Sequence, residues 1–153
     1  MATERDTYAI ETVRVAECSP EAVMAHLLDS GEWPAWQPEI VATQGPSRVA
    51  EGDVVTGHAQ LLGFGVAGRS RIEIAEATTF EEDVLVGIKM RVRYDLEPVE
   101  DGTMITARLV AERATGLSGR ILTLFLRRRL RTMQATALDN LVSLCRKASA
   151  DMG

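Results

Sequence analysis

The sequence contains few of the residues that build metal sites and disulfide frameworks. Its 153 residues include two histidines and two cysteines. Cys18 and Cys145 stand far apart and belong to no paired motif, so we expect two reduced thiols. With so few histidines and no cysteine pair, a zinc site lacks ligands. We therefore predict a fold that forms without metal, cofactor or disulfide.

Long apolar runs and an excess of positive charge are also missing. No run approaches the ~20 apolar residues that a membrane-spanning helix needs, and the polar segment 1–6 lacks the apolar stretch of a signal peptide. The net charge is −5, which argues against a nucleic-acid partner because phosphate binding needs a basic surface. We expect a cytoplasmic protein without stable membrane insertion or bound nucleic acid. The sequence does not predict its oligomeric state.

The composition that is present is typical of a globular protein. Hydrophobic residues make up 46% and charged residues 25% of the chain, both near the average. A domain of this length buries roughly 70% of its unfolded surface, which is enough for a sizeable core. We expect residues 1–153 to form one domain.

The N-terminal part of the chain predicts one strand followed by two short helices. Residues 8–17 are rich in Ile, Thr and Val and roughly alternate with polar residues, as strands do. Ser19-Pro20-Glu21 supplies a cap, a proline and an acid for a helix start, and Gly31 ends that helix. Trp33-Pro34-Ala35-Trp36-Gln37-Pro38 predicts a short helical turn, which its last proline terminates.

Residues 39–113 are typical of successive strands separated by turns. One predicted turn is Glu81-Glu82-Asp83. Gly87 lies inside an extended run, where it marks either a bulge or a further turn. The predicted strands are Glu39–Gln44, Asp53–Leu62, Val66–Ala77, Val84–Ile88, Lys89–Val99 and Thr103–Arg113.

The last two strands allow a prediction of their register. Asp-Gly is the preferred pair for a two-residue type I′ turn. If Asp101-Gly102 is the turn, Tyr94 faces Leu109, and the apolar residues of both strands share one face. On the other face Arg91 meets Glu112, a favourable pair of opposite charges.

Residues 117–148 predict one long helix, because apolar residues recur at spacings of three and four. Strands grouped beside separate helices indicate an α+β fold. We expect a curved antiparallel sheet of six or seven strands around this helix, with two short helices after the first strand. The predicted apolar stripe consists of Leu117, Ile121, Leu124, Phe125, Met133, Ala137, Leu138, Leu141, Leu144 and Cys145.

The order of these elements resembles the helix-grip (SRPBCC) superfamily of START lipid-transfer domains, birch-pollen-allergen-like proteins and polyketide cyclases/dehydrases. Several motifs are similar to its bacterial cyclase/dehydrase branch, and the resemblance covers essentially the whole chain. The resemblance implies a ligand cavity between sheet and C-terminal helix, but no universal catalytic signature. The motifs are Ser19-Pro20-Glu21-Ala22-Val23, Trp33-Pro34-Ala35-Trp36-Gln37-Pro38, Glu51-Gly52-Asp53, and Tyr94-Asp95-Leu96-Glu97-Pro98 followed by Gly102-Thr103.

Five candidate ligand-binding residues would form the wall of that cavity. Met90, Tyr94 and Leu109 belong to the last two strands, and the register buries the face of Tyr94. Ile121 and Phe125 belong to the N-terminal half of the long helix, where a curved sheet and a straight helix should leave the widest gap. A buried tyrosine hydroxyl needs a partner, which protein, water or ligand can supply.

Three further candidates each have a structural alternative. Trp36 either closes the cavity mouth or pins a short helix to the sheet. His58, two residues before Gln60 on one strand face, orients a ligand if that face is concave and is otherwise solvated. Arg113, at a strand end, either meets a carboxylate or enolate at the rim or is solvated. Four arginines within residues 127–131 contact anionic lipid or nucleic acid, or form the solvated back of the helix.

These features lead to three hypotheses for function. The first is binding of a hydrophobic small molecule, lipid-like or polyketide-like, in the cavity. The second is a polyketide cyclase, aromatase or dehydratase, in which Tyr94, His58 or Arg113 moves or stabilises a proton. The third is a protein-interaction module, such as a chaperone activator that uses the outer face of the sheet.

Overall fold

The computed structural model of the protein describes residues 6–61 and 63–152, with side chains described up to residue 148. Leu62, the predicted end of the third strand, lies outside the described residues. The strands are β1 (Thr7–Ala16), β2 (Ile40–Gln44), β3 (Val54–Leu61), β4 (Phe64–Ala75), β5 (Thr79–Leu85), β6 (Lys89–Val99) and β7 (Gly102–Glu112).

These seven strands form one curved antiparallel sheet in the order β1-β7-β6-β5-β4-β3-β2. Strands β2 to β7 follow one another as hairpins, and β1 pairs with β7 at the opposite edge from β2. The predicted strand count of six or seven is therefore confirmed at seven.

Two short helices follow β1, as predicted. α1 (Pro20–Leu28) begins where the Ser19 hydroxyl accepts the Ala22 N–H at 3.2 Å, which satisfies one free donor of the first turn. The helix ends before Gly31, at Asp29, and a 3-10 turn leads into α2 (Trp33–Trp36).

The long C-terminal helix, α3 (Gly116–Met152), has 37 residues and is about 55 Å long. Two polar contacts hold it against β1: Thr12 donates to Gln134 Oε1 at 2.6 Å, and Arg14 donates to Asp139 Oδ1 at 2.8 Å. Leu138 of α3 is fully buried in the core cluster. This arrangement is the predicted helix-grip fold. No described helix is both long and apolar enough to cross a membrane.

The register of the last hairpin differs from the prediction. Tyr94 faces Ala107 instead of Leu109, and the turn consists of Glu100 and Asp101. Gly102 is needed inside the sheet, because a Cβ there would overlap the Ala16 carbonyl oxygen. Asp101 takes the positive φ of the turn, at 70°, which aspartate tolerates better than most residues.

The shift of two residues keeps the predicted faces and changes the charge pairs. Because side chains alternate with period two, Val92 and Tyr94 remain buried as predicted. Arg91 faces Val110 instead of Glu112. Its ion pair is formed along the sheet with Asp83 of β5, at 2.9 Å.

Strand β5 lies where a turn was predicted. Glu81-Glu82-Asp83 is part of Thr79–Leu85 rather than a break before it. Gly87, with φ of 77°, belongs to the turn between β5 and β6. Three acids in a row favour a turn by composition, but two of them pair with the arginines of β6 on the outer face, which makes a strand stable here.

Candidate ligand cavity

A cavity of about 140 Å³ lies between the concave face of the sheet and the middle of α3. Its size is close to that of an engineered apolar cavity of about 150 Å³ that accepts benzene. There is thus room for a group such as one aromatic ring. The apolar part of the wall consists of Val55, Leu61, Val84, Met90, Val92, Leu109, Leu130, Met133 and Ala137.

Glu82 is the buried carboxyl group of this wall. It lies on the inward face of β5 between Phe80 and Val84, and its Oε2 accepts a hydrogen bond of 2.8 Å from the Ser70 hydroxyl of β4. Burial raises the pKa of Glu82 from 4.5 to about 7, while the hydrogen bond from Ser70 acts in the opposite direction. Near neutral pH the carboxyl is therefore present in both protonated and ionised forms.

Tyr94 is the second polar group that lines the cavity. Its ring packs edge-on against Trp36, with centroids 6.2 Å apart, and tilted against Phe80 at 6.1 Å. The hydroxyl makes no hydrogen bond to any residue that the structure describes. Burial raises the pKa of Tyr94, and the nearby carboxyls of Glu82 and Glu39 raise it further. The hydroxyl thus stays protonated and can donate to a ligand.

Gln134 and Glu39 add polar atoms from the helix side and from the segment before β2. The Gln134 Oε1 accepts from Thr12, whereas its Nε2 is buried without a partner among the described residues. Burial raises the pKa of Glu39, and a backbone hydrogen bond and Arg129 partly offset this. A buried amide donor without a partner lowers the stability of the fold, so a hydrogen bond from Nε2 to a ligand acceptor or a water would be favourable.

The wall therefore combines a large apolar surface with a carboxyl, a phenol and an amide donor. Within the described ranges, no group of three or more His, Cys, Asp or Glu side chains is placed to hold a metal ion. The chemistry available to these residues is hydrogen bonding and proton transfer to a molecule of mainly apolar character.

Comparison with known proteins agrees with this architecture. The family model described as polyketide cyclase / dehydrase and lipid transport matches residues 8–146. The chain belongs to this family. No curated protein matches its sequence.

Solved structures with the same fold include members of the cyclase and START groups. The Zhui aromatase/cyclase from Streptomyces sp. R1128 superposes with a TM-score of 0.79 at 14% identity, over 92% of this chain and 94% of that one. A START superfamily protein from Mycobacterium smegmatis gives 0.71 at 18% identity, over 89% and 97%.

The di-domain ARO/CYC StfQ from the steffimycin biosynthetic pathway gives a TM-score of 0.78 at 14% identity, over 95% of this chain. The chain described here therefore spans about half the length of StfQ, since the match covers 53% of StfQ. At such identities, the likeness to the solved structures concerns the fold.

Four of the candidates from the sequence, His58, Met90, Tyr94 and Leu109, are among the residues that line the cavity. Trp36 is buried behind Tyr94 and does not stand at a mouth; Asn140 of α3 donates to its carbonyl at 3.2 Å. Its neighbour Trp33, whose Nε1 donates to the Leu27 carbonyl at 3.0 Å, is the tryptophan of the wall.

His58 contributes to the cavity lining from an exposed strand position, whereas Arg113 is not part of the lining. Strand β3 borders the cavity, but the buried residues Val55 and Leu61 define its inward face, and His58 lies on the alternate, exposed face. Arg113 follows β7, donates to the Thr7 carbonyl at 3.2 Å and stacks over the Tyr8 ring.

Ile121 and Phe125 do not line the cavity, contrary to prediction; 62% and 60% of their surface is exposed. The cavity lies farther along α3, opposite Leu130 and Met133. The predicted apolar stripe changes face: Met133 follows Leu124 by nine residues, which is half a turn out of phase at 3.6 residues per turn.

Glu82, Ser70 and Gln134 belong to the cavity wall but were not predicted from the sequence. A signal existed for two of them. Once β5 is extended to Thr79, the alternation of Phe80 and Val84 places Glu82 inward. Gln134 is the polar residue four positions after Leu130 and four before Leu138, inside the buried stripe of α3.

Proposed function

We propose that the protein binds a small, mainly apolar molecule that carries a hydroxyl or carbonyl group. The observation that supports this most directly is that one apolar wall contains a buried carboxyl, Glu82, and a hydroxyl, Tyr94, without a hydrogen-bond partner among the described residues. A site built to hydrogen-bond one ligand group rejects an analogue without it, because its buried polar atoms are then left unpaired.

Binding of matched ligands tests this proposal. Titration calorimetry with 4-methylphenol and with toluene compares two molecules of similar shape that differ in one hydroxyl. We expect 4-methylphenol to bind more tightly, and Tyr94→Phe to reduce its affinity about 5- to 10-fold, the size of one hydrogen bond. Toluene binding should change little.

A matched control is available at Tyr8, another buried tyrosine that does not line the cavity. Tyr8→Phe removes the same atom from a ring that packs against Arg113 and Arg127, and it should leave both affinities unchanged. Equal affinity of the two ligands for the unaltered protein, or equal effects of the two variants, would count against the proposal.

A second function, proton-transfer catalysis on a polyketide-like substrate, is favoured by the raised pKa of Glu82. The carboxylate would remove a proton from a carbon between two carbonyls, and the resulting enolate would attack another carbonyl of the same chain. Tyr94 would donate a hydrogen bond to the oxygen that becomes an alkoxide. The protonated Glu82 could then return its proton to that oxygen.

Turnover of a poly-β-ketone analogue distinguishes this enzyme from a binding protein. Glu82→Gln keeps the size of the side chain and removes the base, so turnover should fall by about 100-fold or more while ligand binding persists. If the unaltered protein binds the analogue without converting it, the binding function stands alone.

A further inference from the structure

The N-terminal half of α3 exposes an apolar stripe that the cavity does not use. Leu117, Ile121, Leu124 and Phe125 are 83%, 62%, 56% and 60% exposed. The first three follow the i, i+4, i+7 spacing of one helix face. Four large apolar side chains on one exposed face are unusual, because scattered single ones are the norm on protein surfaces.

The opposite face of the same helix segment is fixed against the fold. Gly119, Thr123 and Leu126 are buried and repeat with the same spacing. The Thr123 hydroxyl accepts the Ala114 N–H at 3.1 Å, and a Cβ on Gly119 would press on the Ala114 backbone. The helix cannot rotate its outer stripe inward without losing these contacts.

The charge of this region is opposite to that of the rest of the protein. Residues 113–138 contain six arginines and no acid, so the remainder has 11 Lys and Arg against 22 Asp and Glu. Arg120, Arg128 and Arg131 are exposed and form no ion pair with any residue in the described part of the chain. Arg128 continues the apolar stripe, eleven residues after Leu117.

A second exposed apolar group lies at the same end of the molecule. Strands β3, β5 and β7 run in the same direction, because neighbours in the sheet are antiparallel. All three therefore end at the same end of the sheet, the one from which α3 starts. Phe64, the first residue of β4 after the turn that follows β3, is 73% exposed, and Leu85 at the end of β5 is 36% exposed. Apolar residues from separate elements thus face solvent at one end.

These observations favour a lipid surface over other occupants. A second copy of the chain would bring the same uncompensated arginines against each other, which is unfavourable. Arginines beside large apolar residues on one exposed helix face are the pattern of helices that lie in a membrane interface. A bilayer can also contact the helix, the start of β4 and the end of β5 together, because it is a broad surface.

We propose that the face formed by Leu117, Ile121, Leu124, Phe125, Arg120 and Arg128 docks the protein peripherally on an anionic lipid bilayer. The apolar side chains enter the headgroup region, and the arginines pair with lipid phosphates. The contact is reversible and separate from the cavity, so it does not require the function proposed above.

Vesicle flotation with the full chain tests the docking. We expect binding to vesicles of phosphatidylcholine with 40% phosphatidylglycerol, weak binding to pure phosphatidylcholine, and release at 1 M salt, where the Debye length falls to about 3 Å. Arg120→Gln with Arg128→Gln should weaken partitioning about 25-fold, because each arginine near an anionic surface contributes about 5-fold. Ile121→Ser with Phe125→Ser should weaken it at least 10-fold.

Matched controls lie at the other end of the molecule. Lys147→Gln removes a positive charge near the other end of α3, and Val15→Ser removes an exposed apolar side chain near the end of β1, which pairs with the start of β7; both should bind like the unaltered protein. Circular dichroism melting checks that every variant is folded. No binding to anionic vesicles, or equal loss in the control variants, would overturn the proposal. So would a dimer in sedimentation that Ile121→Ser with Phe125→Ser dissociates, since the face would then be a self-interface.

Discussion

Replacing Glu82 with glutamine should change how the stability of the protein depends on pH. In the folded protein the pKa of Glu82 is about 7, compared with 4.5 for the exposed group. The folded state therefore holds its proton more tightly than the unfolded state. The stability that Glu82 contributes is fully present below the unfolded pKa and is lost as the pH rises through about 7, where the folded carboxyl must also ionise.

The size of this effect follows from the shift. A difference of about 2.5 pKa units, at 1.36 kcal/mol per unit, corresponds to about 3 kcal/mol lost between pH 4.5 and pH 8. Glutamine keeps the shape and can still accept the hydrogen bond from Ser70, but it has no proton to lose. Glu82→Gln should therefore gain stability relative to the unaltered protein as the pH rises.

Urea unfolding at pH 4.5, 5.5, 6.5, 7.5 and 8.5 measures the difference. Other carboxyls titrate in both proteins, so the relevant quantity is the free energy of unfolding of the variant minus that of the unaltered protein. We expect this difference to increase by about 3 kcal/mol over the range. Glu97→Gln, at an exposed position of β6, is the control and should give a flat difference. A flat difference for Glu82→Gln as well would refute the reasoning.

Three further outcomes are expected. Phe125→Ala should lower the free energy of unfolding by less than about 1 kcal/mol, since the side chain is mostly exposed, whereas Leu138→Ala in the core should cost about 2–5 kcal/mol in the same urea titration. Gly102→Ala should destabilise the fold by roughly 2 kcal/mol or more through its clash with Ala16, and Gly65→Ala, with open space around it, should be near neutral in thermal melting. Burial raises the pKa of the thiols of Cys18 and Cys145, so a thiol reagent at pH 8 should react slowly with the native protein and quickly in urea; fast reaction of both in the native state would contradict the burial.

The buried face of the sheet could be predicted well from the sequence, because a register error of two residues leaves every side chain on the same face of its strand. The assumed Asp101-Gly102 turn was displaced by one position, which changed the facing pairs by two residues. Tyr94 nevertheless stayed on the concave face, since a strand alternates with period two. The reason for the displacement, the approach of Ala16 to Gly102, comes from a strand more than 80 residues earlier and is invisible in the local turn sequence.

The polar part of the cavity was harder to predict, because a charged residue in a strand has no fixed environment. Glu82 stands between two other acids in the sequence, and all three look solvated. Pairing with β4 and β6 separates them: Asp83 meets Arg91 on the outer face, and Glu82 meets Ser70 on the inner face. The environment of each carboxyl is therefore decided by strand pairing over longer distances and not by its neighbours in the chain.

Helix α3 shows how one apolar pattern can serve two surfaces. Spacings of three and four were read as a single stripe from Leu117 to Cys145, but small phase differences add up along a helix. Leu117, Ile121, Leu124 and Phe125 face outward, whereas the apolar residues from Leu126 to Cys145 are buried or partly buried. Apolar residues that belonged to the core would not need arginines beside them. The change from an inward to an outward apolar face coincides with the segment of the chain that has six arginines and no acid, so the first part of α3 carries a surface of its own while the second part completes the cavity.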